Sequence, residues 1–503
     1  MKKFVALGLA VIMLMALFTA CDSGAGKSGP LKDTLTVVSS GKGNNFDPLT
    51  NYESDWFVLE QIFDKLFRID TNGKIVSHVA ESWTESEDGM TLSIKLREDI
   101  KFHDGTKLNA EAVAYSFEVS HAEPLNAWLA DLVPGWEVTG EYTINVFKGH
   151  SYTPIYESLL ARPHIVSPTA YAADPAAFAK KPVGSGAYKF VSFGSDDVVT
   201  LEANADYFLG APGFKNLVIR PAMESATSVI ALQNGEVDLV VDLTSNQVPV
   251  ANAIENIKVV EQTGWAQTMM IMAGEPFTGN RALRQAIAHA VDPKKAAVLD
   301  ERPNATIATD LFTTRMLGPY SGQVPILDYN TDKVEALLKE AGYVAGTVIP
   351  IRVTQNFAAL AQSVQADLEA VGITAKIEQV DEPTYNNFFT DGNFGLSFWQ
   401  YGNDQSSTED LLTYFTSTNF YGAYMEASPE YDAFVAQFGD FPTAEARMEV
   451  MKGALAQQVD FANMVPLYES VFNFAYRSDL LDNVNPWFAP TYHYYLGEIQ
   501  PKK

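Results

Sequence analysis

Residues 349–380 read IPIRVTQNFAALAQSVQADLEAVGITAKIEQV, and this stretch decides the fold. Residues 349–354 predict a strand, and residues 358–371 carry apolar side chains at helical spacing before Gly372, which ends the helix. Residues 373–380 then alternate apolar and polar side chains, which is typical of a second strand. A strand, a helix and a strand in this order form a βαβ unit, so the chain contains parallel strands and is of the α/β class.

Two amphipathic helices are predicted before this unit. Asn280 is the predicted N-cap of the first helix, which ends before Pro293. Thr331 or Asp332 is the predicted N-cap of the second helix, and Gly342 ends it. Both helices bury one face against the rest of the protein.

Strands dominate the first quarter of the sequence. Residues 35–38 and the alternating residues 92–96 predict strands, and the second of these is followed by a turn at Gly105. Further along, residues 227–234 predict a helix that stops at Gly235, and residues 237–241 predict a buried strand. We find no internal repeat, so we expect the domains to interleave along the chain.

Composition excludes several classes of protein. The chain has 503 residues, enough for about two to four domain-sized units, and 47% of its residues are hydrophobic. Its 62 acidic and 35 basic residues give a formal charge of −27, which repels phosphate backbones and argues against nucleic-acid binding. Because Cys21 is the single cysteine, no disulfide and no thiolate metal cluster can form within one chain.

The N-terminus has the pattern of a targeting segment. Lys2 and Lys3 precede an apolar run from Phe4 to Phe18, which is shorter than the roughly 20 residues that a membrane-spanning helix needs. Residues 18–21 read FTAC and resemble the cleavage box of bacterial lipoproteins, in which the cysteine carries the lipid. We therefore expect a signal peptide at residues 1–20, lipidation of Cys21, a flexible tether at 21–32 and an extracytoplasmic, membrane-anchored protein; ordinary secretion is the alternative.

No catalytic or metal-binding motif is found in the sequence. The seven histidines are scattered, and neither a zinc-protease helix motif nor a nucleophile elbow is present. His103 and Asp104 together suggest a general base with its orienting carboxylate, but Gly105 directly after them favours a turn. We therefore expect a protein that is not an enzyme and needs no cofactor. Aromatic residues make up 12% of the chain, and such side chains fill cores or line clefts that hold organic ligands.

Several short segments resemble the family 5 extracytoplasmic solute-binding proteins, the receptors of ABC importers for peptides, nickel and related solutes. The most specific segment is LREDIKFHDGT at residues 96–106. Further segments recur in family order: FDPL at 46–49, AESW at 80–83, AEAV at 110–113, PVGSGAY at 182–188, GEVD at 235–238, NRALRQA at 280–286 and LLKEAGY at 337–343. We expect the resemblance to extend over nearly the whole mature chain.

This resemblance implies a periplasmic-binding-protein-like fold in which two α/β lobes close on a ligand about a hinge. It implies a first lobe, an inserted subdomain and a second lobe, with the boundaries 33–69 plus 193–267 plus 473–503 for the first lobe, 70–192 for the insert and 268–472 for the second lobe. The implied partners are a small-molecule ligand and the permease and ATPase subunits of an importer. We expect a monomer, since nothing in the sequence suggests an assembly.

The resemblance leaves the ligand open between a peptide, a metal chelate, and a sugar or another solute. Peptide-binding members hold the ligand's α-amino group with an Asp that follows a Trp in the second lobe, and Asp404 after Trp399 and Tyr401 is the matching candidate. Members that bind nickel or its chelates use an Arg in an Arg-Pro segment with tryptophans around it, for which Arg162 and Trp128 are the candidates together with Trp399. Asp404 as a helix cap, Arg162 as a surface ion pair and tryptophans as core residues are the alternatives. A secreted peptidase and a purely structural lipoprotein are the remaining classes.

Overall fold

The structure is a computed structural model. It describes residues 32–39, 45–49, 56–70, 75–123, 127–149, 163–402, 408–419, 421–438, 443–484 and 494–502. Within these ranges, none of the helices has the length and the apolar character that crossing a membrane requires. The targeting segment, Cys21 and the tether up to residue 31 lie outside the described residues, so these predictions stay predictions.

Strands and short helices alternate along most of the described chain. The strands are β1 (Thr34–Ser39), β2 (Phe67–Ile69), β3 (Ile75–Ser77), β4 (Ala80–Glu85), β5 (Thr91–Leu96), β6 (Gly135–Gly140), β7 (Thr143–Phe147), β8 (Tyr188–Phe193), β9 (Val199–Ala203), β10 (Asn216–Pro221), β11 (Leu239–Val241), β12 (Ile257–Ala273), β13 (Thr306–Ile307), β14 (Val348–Val353), β15 (Thr374–Gln379), β16 (Gly395–Gly402), β17 (Met464–Arg477), β18 (Leu481–Asp482) and β19 (Gln500–Pro501).

The helices are α1 (Trp56–Ile62), α2 (Ala110–Ala122), α3 (Ala127–Leu132), α4 (Pro168–Ala173), α5 (Pro175–Phe178), α6 (Ser225–Asn234), α7 (Val248–Asn252), α8 (Arg281–Ala290), α9 (Pro293–Leu299), α10 (Thr314–Leu317), α11 (Val334–Glu340), α12 (Ala358–Ala370), α13 (Glu382–Thr390), α14 (Thr408–Thr413), α15 (Pro429–Val435) and α16 (Ala444–Phe461). Short 3₁₀ turns precede or follow several of them.

One mixed sheet runs through most of the molecule. Its strand order is β15-β14-β16-β12-β17-β11-β1-β10-β9-β8, with β13 paired to β17. Strand β14 is parallel to β15 and β16, and β1 is parallel to β10 and β11. The strands between these two parallel groups, β12 and β17, pair with each other antiparallel along most of their length.

The long strands β12 and β17 connect two separate groups of hydrophobic cores. At one end they contribute Ile257, Phe472 and Phe474 to the cores that cover the two faces of β1, β10 and β11, which form the first lobe. At the other end they contribute Met269 and Met270 to the cores on the two faces of β12, β14 and β16, which form the second lobe. The pairing of β12 with β17 is irregular between Gln262 and Ala266, so the ladder is broken where the strands pass from one lobe to the other.

A third core belongs to a small sheet of order β4-β5-β7-β6 with helix α2 packed on it. The alternation predicted for residues 92–96 is observed, because Leu92, Ile94 and Leu96 are all buried while Ser93 and Lys95 are exposed. Side chains that point alternately to the two faces of a strand explain this pattern. The predicted boundaries of lobes and insert stay a prediction.

The elements predicted from local patterns are present. Residues 348–379 form the expected parallel βαβ unit of β14, α12 and β15. Helix α6 ends at Gly235, whose φ of 74° is the left-handed conformation that favours glycine. The N-cap predicted at Thr331 or Asp332 is wrong: Thr331–Lys333 form a 3₁₀ turn, and Asn330 caps it by accepting a hydrogen bond from the Asp332 N–H at 3.2 Å. An Asn side chain makes this bond readily two residues ahead, so a 3₁₀ turn forms first and α11 begins only at Val334.

Candidate functional site

Trp399 and Tyr401 lie on strand β16, next to the strands that cross between the lobes. Leu396 and Phe398 point into one second-lobe core, so the residues at odd positions face the opposite side of the sheet. There Trp399 and Tyr401 pack against the other second-lobe core and are only partly buried. The structure therefore places these two predicted residues next to each other, two positions apart on the same face of β16, where both side chains are only partly buried.

Aromatic side chains from two further segments extend this face. The Trp399 ring meets Tyr401 edge to face at 5.5 Å and Tyr421 at 5.2 Å between centroids. Phe312 lies 6.2 Å from Tyr401, at the other end of the row. We call these four residues, Phe312, Trp399, Tyr401 and Tyr421, the aromatic wall. Burial raises the pKa of Tyr421 to about 12, so its hydroxyl stays protonated at neutral pH and can donate a hydrogen bond.

A buried amide lies at the hinge end of the wall. Gln267 on β12 is the register partner of Tyr401 on one side and of Glu469 on the other, so the three side chains share a face. Gln267 is 1% exposed, and neither its Oε1 nor its Nε2 has a hydrogen-bond partner among the described residues. Burying an amide without a partner costs about 1–3 kcal/mol, and such groups are rare in native proteins outside functional sites.

Sequence reasoning missed Gln267 because no motif contains it. The available signal was weak. Gln267 is a polar residue just before the apolar run of β12, and its neighbours on the adjacent strands cannot be known from the sequence. Glu469 beside it is also buried, at 8% exposure, and its Oε1 accepts a hydrogen bond from the Thr314 N–H at 2.9 Å. The candidate site thus combines the aromatic wall with two buried polar groups beside it, the amide of Gln267 and the carboxylate of Glu469.

A buried carboxylate on α14 is neutralised by its neighbours. Glu409 on α14 is buried and accepts hydrogen bonds from the Tyr320 hydroxyl and the Arg447 Nε, each at 2.8 Å. The Thr408 hydroxyl donates to the Met316 carbonyl at 2.9 Å and fixes the start of α14. The start of α14 is therefore anchored to the segments of Met316, Tyr320 and Arg447.

The side chains of the other predicted ligand-binding residues are outside what the structure describes. Arg162 and Asp404 lie outside the described residues, and of Trp128 only the backbone, in α3, is described. Their roles as ligand contacts stay predictions. No group of three or more His, Cys, Asp or Glu side chains that could hold a metal ion occurs within the described ranges.

His103 and Asp104 form a turn, as the neighbouring Gly105 indicated. Asp104 accepts hydrogen bonds from the Thr106 N–H at 2.9 Å and from the Ser167 hydroxyl at 2.7 Å. The His103 Nε2 lies 3.0 Å from the Gly186 carbonyl and donates to it, and burial lowers the pKa of His103 although this bond opposes the shift. The pair therefore ties the turn to the segments of Ser167 and Gly186, while Nδ1 of His103 is buried without a hydrogen-bond partner among the described residues.

Comparison with known proteins gives a family and a set of similar folds. Residues 74–422 match the profile described as bacterial extracellular solute-binding proteins, family 5 middle. The glutathione-binding protein GsiB of Shigella flexneri is 28% identical over 394 residues, which is 75% of this chain and 73% of GsiB.

Two solved structures illustrate the range of the fold. DppA from Helicobacter pylori, solved in complex with the peptide STSA, is similar at a TM-score of 0.79 and 22% identity, covering 94% of this chain and 99% of DppA. NikA from Brucella suis, solved in complex with Fe(III)-EDTA, is similar at a TM-score of 0.83 and 21% identity, covering 93% of this chain and 100% of NikA. Both likenesses extend over the two lobes and the insert.

Proposed function

Because the chain belongs to the family 5 bacterial extracellular solute-binding proteins, we propose that it captures a short peptide between its lobes and delivers it to the permease of an ABC importer. The resemblance recognised in the sequence and the α/β two-lobe fold class are confirmed. Closure about the crossing strands would couple capture to delivery, since only the closed form presents both lobes together.

The aromatic wall is the observation that carries this proposal. It is a partly buried face of Trp399, Tyr401 and Tyr421 next to the point where β12 and β17 change lobes. Aromatic rings contribute large contact areas at small entropic cost, and their polar tips can bind the amide groups of a peptide. The relative GsiB is named for glutathione, a tripeptide, and DppA was solved with a tetrapeptide, which favours a ligand of this size.

The charged ends of the peptide need partners that the described wall does not supply. We propose Asp404 for the α-amino group and Arg162 for a carboxylate, with Trp128 contributing a further ring. A hydrogen bond to a charged group contributes about 1.5–3 kcal/mol, so two such clamps would select for free termini. The protein would release its ligand chemically unchanged, as a receptor and not as a peptidase.

The proposed location is the outer face of the membrane, where a lipid on Cys21 would anchor a monomer through the tether at residues 21–32. Cys21→Ser should move the protein from the membrane fraction to the soluble extracytoplasmic fraction. Retention of the variant in washed membranes would contradict lipid anchoring.

The test of the ligand class is native mass spectrometry of the protein produced from Asp22 in cells, followed by denaturation and identification of the released molecules. A ladder of short peptide masses is the expected result. A single mass that contains a metal would favour the chelate alternative instead. New termini in a peptide pool incubated with the protein would indicate a peptidase.

A variant pair then tests the wall. Trp399→Ala should weaken the affinity for a bound peptide at least tenfold in calorimetry, because it removes the largest ring of the wall. Tyr329→Ala is the matched control, since Tyr329 is 49% exposed and outside the wall, and it should leave the affinity unchanged. Equal affinities of the two variants would place Trp399 among core residues.

A further inference from the structure

A separate cavity of about 320 Å³ lies at the junction of the first lobe and the insert. The chain from the end of α1 to β2, His78 after β3, the segment before β10 and the C-terminal segment surround it. None of the residues that line it belongs to the aromatic wall. Its volume is at the small end of the range of about 300–1,000 Å³ that is typical of ligand sites.

Arg68 presents unused donors to this cavity. Its guanidinium carbon lies 3.6 Å from the centre of the Tyr495 ring, and its Nη2 donates to the Glu498 carboxylate. The stack and the ion pair hold the guanidinium plane in one orientation. Its Nε and Nη1 have no hydrogen-bond partner among the described residues, although the side chain is only 12% exposed.

Glu498 presents an unused acceptor beside it. Its Oε1 accepts from Arg68, and within the described part of the chain no group donates to its Oε2. The side chain is 37% exposed, so this oxygen is open to a ligand. The Arg68–Glu498 pair therefore offers a donor edge and an acceptor atom next to each other.

His78 adds a buried polar atom to the same cavity. The residue is 4% exposed, and its Nε2 lies 2.8 Å from Oδ1 of Asp64. Its other ring nitrogen, Nδ1, is buried and has no partner in the described ranges. Hydrogen-bonding groups that are buried without a partner are rare, and a ligand in the cavity would supply the missing one.

The charges that line the cavity select for a ligand with both signs. Two ion pairs, Glu60 with Lys65 and Arg68 with Glu498, surround it together with the hydrogen-bonded pair of Asp64 and His78. A lone anion would meet three carboxylates in a chain of formal charge −27, and a lone cation would meet the guanidinium and the lysine. The carboxylate of a zwitterion can accept hydrogen bonds from Nε and Nη1 of Arg68, and its ammonium can donate to Oε2 of Glu498. The two charges of the ligand then each face the opposite charge of the Arg68–Glu498 pair.

We propose that this cavity is a second binding site, for a free amino acid with an apolar side chain. The apolar part of the lining, which includes Phe67, Leu209 and Ala211, faces the side chain of such a ligand. The site is independent of the interlobe cleft, because its residues and its type of ligand contact are different.

The first experiment uses the unaltered protein. L-leucine is titrated into the full mature chain by calorimetry, and N-acetyl-L-leucine and L-leucinamide are titrated in parallel. We expect one site for L-leucine and at least a tenfold loss of affinity for each analogue, because each lacks one of the two charges. Absence of L-leucine binding at millimolar concentration, or equal binding of the analogues, would overturn the proposal.

Variants then locate the site. Arg68→Gln and Glu498→Gln should each lower the affinity for L-leucine at least tenfold, while Trp399→Ala should leave it unchanged. Circular dichroism checks that each variant is folded. If Arg68→Gln does not fold, Glu498→Gln still tests the site, because Glu498 is partly exposed and its substitution disturbs the fold less. If Trp399→Ala alone abolished L-leucine binding, the amino acid would bind in the cleft and the second site would be overturned. If the protein bound no peptide at all, the L-leucine titrations would still test the second site, because they do not depend on the peptide.

Discussion

Two buried charged side chains join distant parts of the chain, but they do so in different ways. Arg284 in the second lobe is 1% exposed and donates to the Phe461 carbonyl at 2.7 Å, to the Phe277 carbonyl at 2.6 Å and to Glu426. Asp64, at the junction of first lobe and insert, is 3% exposed and accepts from His78 at 2.8 Å, Ser185 at 2.7 Å and Tyr207 at 3.0 Å.

The difference lies in how each charge is maintained. A guanidinium is charged at every accessible pH, so Arg284 keeps its charge and its bonds to the two carbonyls throughout. Asp64 depends on its neighbours: burial by itself raises the pKa of this carboxyl, but the charge of His78 and the hydrogen bonds from His78, Ser185 and Tyr207 outweigh burial and lower the pKa. The second lobe is thus held by a permanent charge, and the junction by groups that titrate.

The largest expected effect is that of Arg284→Ala. The variant leaves two buried carbonyls without their donor, removes one of the two arginines that donate to Glu426 and opens a cavity, so the free energy of unfolding should fall by about 3–5 kcal/mol in urea denaturation. Arg281→Ala is the matched control on the same helix, since Arg281 also bonds Glu426 but its side chain is 39% exposed. It should cost about 1 kcal/mol or less. Similar losses in both variants would mean that burial does not decide the energy.

Asp64→Asn should have the next largest effect. The amide keeps one oxygen as acceptor but brings two N–H donors towards groups that themselves donate, so the free energy of unfolding should fall by about 2–3 kcal/mol. Asp99→Asn is the control, because Asp99 pairs with Arg97 at the surface and its side chain is 59% exposed. It should cost about 1 kcal/mol or less in the same urea titration. A stable Asp64→Asn variant would show that the charge at the junction is dispensable.

The pH dependence of stability tests the junction directly. Burial lowers the pKa of His103 below its ordinary value of 6.5, so the unfolded chain takes up this proton first as pH falls. The contribution of neutral His103 is therefore complete above pH 6.5 and is lost as pH falls from there towards the lowered value. The lowered pKa of Asp64 acts in a more acidic window, since its contribution is complete above 3.8 and is lost below that.

His103→Gln isolates the first window. Glutamine can still donate to the Gly186 carbonyl but does not titrate, so its stability should fall less steeply than that of the unaltered protein just below pH 6.5. The difference in slope is at most about 1.4 kcal/mol per pH unit, the value for one proton. It is measured as urea midpoints from pH 7.5 to 5. Parallel curves for the two proteins would exclude His103 as the titrating group.

Local patterns in the sequence predicted the elements but could not predict these contacts. The βαβ unit, the Asn280 cap and the Gly235 stop were predictable because each depends on residues within one or two turns. Asp64 reaches Ser185 across 121 residues and Arg284 reaches Phe461 across 177, and no periodicity encodes such pairs. A buried arginine within an amphipathic helix looks, in sequence, like a residue of the polar face.

The candidate site was predictable to a similar extent. The family resemblance pointed to Trp399 and Tyr401, and both lie on the open face of β16. Phe312 and Tyr421 were not predicted, because they reach the wall from segments that only the fold brings together. The proposed roles of Asp404 and Arg162 remain predictions, because both residues lie outside the described ranges. They are tested by measuring how substitution of each residue changes the affinity for a peptide.

The smallest expected effect is at the cap of the helix that carries Arg284. The Asn280 side chain accepts from the Leu283 N–H at 3.2 Å and donates to the Ala341 carbonyl at 3.1 Å. Asn280→Ala should lower the free energy of unfolding by about 1 kcal/mol in urea denaturation, the usual cost of losing an N-cap. Asn280→Asp is the control: it keeps the acceptor for Leu283 and loses only the donor to Ala341, so it should recover most of the loss. If Asn280→Ala cost as much as Arg284→Ala, helix α8 would be held by its end and not by its buried charge.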